Sequence, residues 1–453
     1  MGRSRSRFHV VSFGCRASQS EGASIEAELG EAGRSLSDSP FDADVVVINS
    51  CTVTAEADRD VDRLIRRLNR RNPSARIIVT GCYAQRSPET LAARPQVRYV
   101  VGNSHKSQVG RLAEACLEDP AGPGRSEVFC SDAFGLEPLR HQGSAGRTRA
   151  TVKVQDGCNA NCAFCVIPAV RGRSRSLDPS EVVAQVWDLV SRGYREVVFS
   201  GIHLGSWGRD LGGSGRLVDL VAKTLTEVPE LERLRLSSIE PLEVTGELIG
   251  LAASEPRIAR HLHVPMQSGS DRVLRAMRRP CSATEYGARV RRIGEAVPDA
   301  AIGADVMVGF PGETDRDFLG TFRLIEALPL TYLHVFPYSS RPGTAAADLG
   351  DPVPAHVVRH RADTLRRLGS EKNARFRGRF PGRRLEVLAL GEDGSGGRRG
   401  LSDNFVEVSL GRDLEINRWH EVQILAVTGS GLDARGEADS LQASRMTTAA
   451  ETV

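Results

Sequence analysis

The feature that most constrains the fold is a repeated alternation of short apolar runs and amphipathic stretches in the middle of the chain. The apolar runs have the length of strands, and the stretches between them follow the helical period. The runs lie at 151–154, 196–199, 233–236, 261–264, 301–308 and 331–336. A strand–helix repeat of this kind builds a parallel sheet, so we predict a full or partial β/α barrel over 149–376. Its functional loops should follow the carboxyl ends of the strands.

A second α/β region precedes the barrel at 8–125. β-rich runs at 9–13, 44–49 and 76–80 alternate with helical stretches, which predicts an open α/β sheet. The polar, irregular segment 126–148 is interpreted as a linker.

The pattern changes again near the C-terminus. Short strands separated by Gly-rich turns predict a small β-barrel over 377–440, and the polar segment 441–453 is expected to be a disordered tail. The chain as a whole is therefore predicted to be α/β, with an N-terminal open sheet, a central barrel and a C-terminal β-barrel.

Bulk composition limits the function classes. Hydrophobic residues make up 40% of the chain and charged residues 26%, which is typical of folded globular domains. A net charge of +3 is too small to indicate a polyanion partner, so a nucleic-acid signal must be local. No apolar run could span a bilayer and no signal-peptide core follows the basic N-terminus, so we expect a cytoplasmic protein without a membrane partner.

Three cysteines form the strongest chemical motif. Cys158, Cys162 and Cys165 have the spacing CxxxCxxC directly after a predicted strand. Three thiolates can hold a [4Fe–4S] cluster and leave one iron open to a non-protein ligand. A structural zinc site would need a fourth ligand, and this loop contains no further Cys or His. Buried cysteines without a metal are the other alternative.

Three more cysteines follow the strands predicted in the N-terminal region. Cys15, Cys51 and Cys82 each stand in the turn after a β-rich run. Ligands of open parallel sheets bind at the carboxyl ends of strands, so these thiols could converge on one point. The alternative is that they are small buried hydrophobic residues. The remaining cysteines, at 116, 130 and 281, have no partner at metal-ligand spacing and are interpreted as ordinary thiols.

The motif of Cys158, Cys162 and Cys165 resembles that of the radical S-adenosylmethionine (SAM) superfamily. The segments 154–176, 49–54 and 80–85 resemble the methylthiotransferases within it. Two segments, 200–205 and 49–54, are most similar to the bacterial enzymes that act on threonylcarbamoyladenosine in tRNA. The resemblance extends over about 8–440. It implies an enzyme that inserts a methylthio group at C2 of that nucleoside and uses SAM as radical source and methyl donor.

The resemblance also implies cofactors and site residues. Two [4Fe–4S] clusters are expected, the first on Cys158, Cys162 and Cys165 and the second, which carries the sulfur, on the N-terminal cysteines. Where the family commonly has Asn three residues after the first cysteine, this chain has Ser18. The SAM pocket is expected to include residues from three loops that follow barrel strands: Ser200, Gly201, Glu240, Gln267 and Ser268.

The expected macromolecular partner is the tRNA anticodon stem-loop. Arg171, Arg173 and Arg175 lie just beyond the cluster loop, and arginine forks bind phosphate and stack on unpaired bases. A solvated charged face is the alternative. The C-terminal β-barrel resembles the TRAM domain, a small RNA-binding module. An electron donor such as a flavodoxin or a ferredoxin is also expected.

The sequence leaves open the roles of one aspartate and two histidines in the barrel. Asp305 lies within an apolar strand, so it should have a partner or face the barrel mouth. His203 and His263 could carry protons, but histidines near strand ends are more often structural.

Two rival functions remain. The first is a related methylthiotransferase that acts on isopentenyladenosine in tRNA or on an aspartate of a ribosomal protein. The second is a non-catalytic iron–sulfur or zinc protein that binds RNA.

Overall fold

The computed structural model describes residues 6–118, 126–135, 148–213, 215–392, 397–429 and 431–435. The predicted α/β class is confirmed, with an N-terminal parallel sheet, a central barrel and a closed C-terminal β-barrel. The predicted tail at 441–453 and most of the predicted linker lie outside the described residues.

The N-terminal domain is a parallel sheet of six strands in the order β2-β1-β3-β4-β5-β6. The strands are β1 (Arg7–Ser12), β2 (Ser35–Leu36), β3 (Val45–Ser50), β4 (Arg76–Gly81), β5 (Val97–Val101) and β6 (Glu127–Phe129). The helices are α1 (Arg16–Glu31), α2 (Ala55–Arg71), α3 (Cys82–Arg86), α4 (Pro88–Ala92) and α5 (Val109–Glu118). Strand β3 is buried along its whole length, because α2 covers one face of the sheet and α1 and α5 cover the other.

Strand β6 corrects one predicted boundary. It lies inside 126–148, which was interpreted as a linker, and it pairs in parallel with β5 at the edge of the sheet. A strand of three residues is too short to show an alternating hydrophobic pattern in the sequence. This segment becomes a strand because it pairs with the edge strand β5.

The central domain is an open barrel of six parallel strands. In chain order the domain contains β7 (Arg149–Asp156), β8 (Arg175–Ser176), β9 (Glu196–Gly201), β10 (Arg233–Leu236), β11 (His261–His263), β12 (Ala301–Val308) and β13 (Tyr332–Pro337). The short β8 pairs antiparallel with β7, outside the parallel series. Isolated parallel bridges, such as Ser238 with His263, continue the series from β10 to β11.

Helices surround this barrel, and several begin with side-chain caps. They are α6 (Ile167–Arg171), α7 (Pro179–Ser191), α8 (Leu217–Glu227), α9 (Gly246–Ser254), α10 (Asp271–Ala276), α11 (Ala283–Ala296), α12 (Asp315–Ala327) and α13 (Ala355–Arg377). Ser282 and Thr314 form capping boxes at the starts of α11 and α12. Four short 3₁₀ turns lie at Asn103–Gln108, Leu204–Ser206, Pro241–Glu243 and Ala345–Asp348.

Helix α1 of the N-terminal domain packs against the barrel. It contacts β7 and β9, and Ser20 Oγ donates a 3.0 Å hydrogen bond to the carbonyl of Thr151. In the described part of the chain, β7 and β13 form no sheet pairing, so the barrel is open between them. The start of α1 therefore faces the barrel interior.

The C-terminal domain is a closed barrel in the order β14-β15-β16-β18-β17. Its strands are β14 (Arg384–Glu392), β15 (Arg398–Ser402), β16 (Glu407–Leu410), β17 (Trp419–Val427) and β18 (Leu432–Arg435). Phe376 and Phe380, at the end of α13, are part of its core. The turn between β15 and β16 contacts the central barrel, where Asp403 pairs with Arg260.

Among the described helices, none is both long enough and apolar enough to cross a lipid bilayer.

Candidate active site

The structure brings the three N-terminal thiols together at the carboxyl ends of neighbouring strands. Cys51 follows β3, Cys82 follows β4, and Ser50 and Gly81 are direct partners in the sheet register. Cys15 precedes α1, in the turn after β1. At Gly14, where φ is +95°, a Cβ would lie 2.7 Å from Cys51 Sγ, so the Cys15 turn rests against Cys51 and requires glycine.

Donor groups surround these sulfurs. Asn103 Nδ2 and Arg171 Nε donate to Cys82 Sγ over 3.5 and 3.3 Å. Ser18 Oγ lies 3.7 Å from Cys15 Sγ. Such contacts stabilise thiolate over thiol, which suits metal ligands.

Burial raises the pKa of the Cys51 thiol to about 12, and the neighbouring Cys82 and Cys15 add to the rise. Without a metal this group therefore stays protonated at neutral pH. A bound cation would displace the proton, so metal binding here should release protons.

The second triad lies on the loop after β7. Gly157 begins the loop with φ +70°, and a Cβ there would lie 2.0 Å from the carbonyl oxygen of Arg173. The loop is tied to the barrel by backbone bonds: Cys158 N donates to Gly172 O over 3.1 Å, and Ala163 N donates to Met277 O over 2.9 Å. A close backbone approach and two anchors therefore fix the position of this triad.

The barrel cysteines have their own polar partners. Burial raises the pKa of Cys165 to about 12, with further contributions from Cys162 and Cys158. Arg279 Nη1 donates to Cys162 Sγ over 3.7 Å, and His203 Nδ1 lies 3.5 Å from Cys158 Sγ.

The two triads supply the ligand set that the sequence resemblance implies for [4Fe–4S] cubes. Each offers three thiolates, and donor groups lie beside Cys82, Cys162 and Cys158. Three thiolates would bind three irons of such a cube and leave the fourth open to another ligand.

The residues predicted to bind SAM lie at the carboxyl ends of adjacent barrel strands, either in the last two positions of β9 or on the loops after β10 and β11. Glu240 pairs with Arg279, which also contacts Cys162, so it lies one side chain from the barrel triad. Gln267 has φ +64°, and no described residue donates a hydrogen bond to its buried Oε1. An unsatisfied buried acceptor of this kind suits a ligand.

The other predicted SAM residues are more enclosed. Ser200 is buried next to the end of β9, and the strand ends at the partly buried Gly201, where a Cβ would lie 2.9 Å from Gln155 Oε1. Ser268 Oγ lies 3.3 Å from Thr321 Oγ1 and accepts from Ser270 N over 3.2 Å. Ser268 therefore has a structural role in this loop.

The predicted RNA contact of Arg171 is wrong. Arg171 is 1% exposed, and its Nη1 binds Glu21 Oε1 at 2.8 Å and Asp156 Oδ1 at 3.0 Å. Helix α6 packs against α3 of the N-terminal domain, which removes this guanidinium from solvent. Arg173 is exposed, whereas Arg175 is partly buried and lies 5.8 Å from the Phe134 ring centroid.

A buried charge network joins the N-terminal domain to the barrel, and sequence analysis missed it. Lys153 Nζ binds Glu21 Oε1 and Asp156 Oδ2, each at 2.9 Å, and Lys106 pairs with Glu21 from the other side. Burial alone would raise the pKa of Asp156, but Arg171 and Lys153 hold it well below its ordinary range. The sequence offered one indication of this network. Lysine is rare in this Arg-rich chain, and two of its four lysines, Lys106 and Lys153, belong to the network.

Asp305 has the partners that the sequence required. Its Oδ1 lies 3.1 Å from His263 Nε2 and 3.2 Å from His334 Nδ1. Tyr332 OH extends this chain, at 3.0 Å from His263 Nδ1 and 2.8 Å from His261 Nε2. His263 therefore belongs to a hydrogen-bonded network inside the barrel.

His203 is likewise part of a fixed arrangement. Its Nε2 lies 2.9 Å from Glu243 Oε1, opposite the contact with Cys158. Burial alone would lower the pKa of His203, but the hydrogen bonds to Cys158 and Glu243 raise it to about 10.

Comparisons with known proteins agree with this geometry. A family model described as uncharacterized protein family UPF0004 matches residues 7–102, and the radical SAM superfamily model matches residues 152–325. The chain is 38% identical to a protein of Bacillus subtilis named threonylcarbamoyladenosine tRNA methylthiotransferase MtaB, over 84% of each chain. The protein of that name from Aquifex aeolicus is 37% identical over 87% of this chain and 94% of its own length.

Solved structures show the same fold at low identity. A radical SAM methyltransferase, TsrM from Kitasatospora setae, aligns with a TM-score of 0.56 at 17% identity and covers 76% of this chain and 77% of its own.

Proposed function

This chain belongs to the MtaB family of radical SAM methylthiotransferases, and from that premise we propose that it adds a methylthio group at C2 of N6-threonylcarbamoyladenosine, next to the anticodon of tRNA. The observation that carries the proposal is the placement of two cysteine triads on either side of one domain boundary. Arg171 spans that boundary, because it follows the barrel triad in the chain and donates to Cys82 Sγ.

The two triads would have different roles. Cys158, Cys162 and Cys165 would hold the cluster that binds SAM, and the triad of Cys15, Cys51 and Cys82 would hold a second [4Fe–4S] cluster. When bound, these groups supply the deoxyadenosyl radical, the sulfur and the methyl group.

The protein's own side chains would position these groups and exclude water. Arg279 holds Glu240 and Cys162 together on the edge of the proposed SAM pocket. Gln267 Oε1 offers an acceptor to a SAM polar group. The buried network around Arg171 keeps the two triads in a fixed relation, which a reaction between two bound groups requires.

The proposed substrate is the anticodon stem-loop. Its unpaired purine can be turned out of the loop to reach an enclosed site. The exposed Arg173 and the C-terminal β-barrel would contact the RNA backbone. We further propose that a flavodoxin or a ferredoxin reduces the clusters and that the enzyme works in the cytoplasm.

Nucleoside mass spectrometry of tRNA tests this proposal directly. A strain that lacks the gene should lose 2-methylthio-threonylcarbamoyladenosine and accumulate the unmethylthiolated nucleoside, and the wild-type gene should restore it. Normal levels of the methylthio form would refute the proposed substrate. Loss of 2-methylthio-isopentenyladenosine, or of methylthio-aspartate in a ribosomal protein, would identify one of the related enzymes.

A second measurement separates an enzyme from a non-catalytic RNA-binding protein. The anaerobically reconstituted, reduced protein should convert SAM to 5′-deoxyadenosine and methionine. Absence of deoxyadenosine from a preparation that contains its full iron would contradict the enzymatic function.

A further inference from the structure

The cation of Arg16 lies near the amino ends of the barrel strands and, among the described residues, pairs with no carboxylate of its own. Arg16 occupies the first turn of α1, directly after Cys15, and its guanidinium enters the barrel from the open side. Its Cζ lies 5.5 Å from the centroid of the Phe405 ring, and Arg235 Cζ lies 5.3 Å from the same centroid. Arg16 therefore lies at a point where all three domains meet.

The charges around Arg16 do not balance. Glu196 is the carboxylate that faces the group, and it is already bound by Arg235 Nε at 2.8 Å, by Arg235 Nη2 at 2.9 Å and by Arg149 Nε at 2.7 Å. Among the described residues no ion pair is formed by Arg16, and the charged side chains that act on it are Arg149, Arg235 and Glu196. Three guanidinium groups thus share one carboxylate, and desolvated cations in excess favour binding of an anion.

The surroundings hold this arrangement in place. Phe405 has φ +66°, a left-handed conformation that a bulky residue rarely adopts, and its ring lies 4.3 Å from that of His261. Backbone strain of this kind persists only where packing on several sides maintains it, and it is concentrated at ligand sites. Tyr332, whose hydroxyl bonds His261, forms the neighbouring wall.

The chemistry of the proposed substrate supplies the missing charge. Threonylcarbamoyladenosine bears a carboxylate on its N6 substituent, whereas isopentenyladenosine bears an uncharged hydrocarbon there. The N6 substituent leaves the ring at a different carbon from C2, so a base with C2 facing the triads can direct its carboxylate toward Arg16, which follows Cys15 in the chain.

We propose that Arg16 forms the subsite for the substrate carboxylate and thereby selects threonylcarbamoyladenosine over nucleosides with a neutral N6 group. This inference rests on the proposed function. The guanidinium fork binds a carboxylate through two parallel hydrogen bonds, a geometry that an ammonium group does not reproduce.

The test compares two synthetic anticodon stem-loop RNAs that differ by one charge. One carries threonylcarbamoyladenosine and the other carries its methyl ester. For the wild-type enzyme, kcat/KM and RNA affinity should fall by about tenfold to hundredfold with the ester, the range of a charge-assisted hydrogen bond. Arg16→Met should lose a similar factor on the acid and almost nothing on the ester, and Arg16→Lys should recover part of it.

Controls distinguish this role from damage to the neighbouring cluster. Arg66→Met, at an exposed position of α2, should behave as wild type with both RNAs. The iron content of Arg16→Met should equal that of the wild type, because the substitution removes no thiolate. Equal activity and affinity of the wild type for acid and ester would overturn the inference while leaving the proposed function intact, as would an equal loss on both RNAs in Arg16→Met. Failure of the wild type to modify either RNA would instead refute the proposed function, and RNA affinity alone would then decide the subsite.

Discussion

Arg171 is the side chain on which the relation between the two triads depends. It is buried, it pairs with Glu21 and Asp156, and it donates to Cys82 Sγ. Breaking a buried ion pair by removing one partner leaves an uncompensated charge, which commonly costs about 3–5 kcal/mol. Arg171 therefore affects both the stability of the domain boundary and the environment of the proposed second cluster.

We expect Arg171→Met to lower the stability of the cluster-free chain at pH 7 by about 3–5 kcal/mol, measured by urea unfolding. The pH dependence should also change. The pKa values of Asp156 and Glu21 are lowered in the folded state, so their contribution is present above their ordinary pKa values, near 4, and is lost as the pH falls from there through the lowered folded-state values. The variant should lose less stability over that range than the wild type or Arg66→Met. An unchanged acid dependence would contradict this account.

The six cysteines should separate by function. Alanine at Cys158, Cys162 or Cys165 should abolish formation of deoxyadenosine, because the proposed SAM-binding cluster cannot form. Alanine at any N-terminal cysteine should leave SAM cleavage in place but stop methylthiolation of RNA. Chromatography of deoxyadenosine and mass spectrometry of the RNA measure the two steps. Loss of cleavage in both sets would refute the division.

For single residues, the sequence indicates which side chains can bind metal but not which charged side chains are buried. The cysteines could be predicted because thiol spacing and position after strands follow from local sequence. Arg171 could not, because its compensation comes from Glu21, 150 residues away. The local sequence around an arginine beside the cluster loop does not distinguish an arginine that binds RNA from one that is buried between two domains.

Strands and helices could be predicted from the sequence where the hydrophobic pattern extends over enough residues and the residue types favour one kind of structure. The strands from β7 to β13, apart from the short β8, lie where the apolar runs indicated, whereas β6 was missed because its three residues carry no period. The turn between β15 and β16 shows a different limit. Asp403 and Phe405 contact the central barrel, and no local pattern specifies such a docking surface.

Phe405→Ala should weaken the docking of the C-terminal barrel. The partly buried ring packs on His261, and the guanidinium groups of Arg16 and Arg235 lie over it, so truncation removes aromatic packing and cation–π contacts and should cost about 1–3 kcal/mol. We expect faster proteolysis near the end of α13 and weaker binding of tRNA. Leu425→Ala, at an exposed position of β17, is the matched control. Equal protease resistance of the two variants would show that this turn does not hold the domain.

For the whole molecule, the candidate site lies where the domains meet. The open side of the barrel receives α1, the helix after the cluster loop, α6, packs on α3, and the C-terminal barrel contributes Phe405. Chain order predicts three domains, but their relative placement depends on long-range pairs such as Arg341 with Asp58 and Lys153 with Glu21. Those pairs are satisfied only in the assembled molecule, so the site could be predicted in parts and not as one arrangement.

Iron stoichiometry tests whether the assembled molecule holds two clusters. Each triad would leave one iron of its proposed cube without a protein ligand, so the reconstituted wild type should contain about eight irons per chain and either triple-alanine variant about four. The two variants should differ in the response of their Mössbauer or electron paramagnetic resonance spectra to SAM, because only the barrel cluster is proposed to bind it. The N-terminal triad also lies beside the buried network, so a Cys51→Ser variant serves as a milder control for folding. About four irons in the wild type, with none lost on removal of Cys15, Cys51 and Cys82, would refute the second cluster and leave those thiols as packing residues.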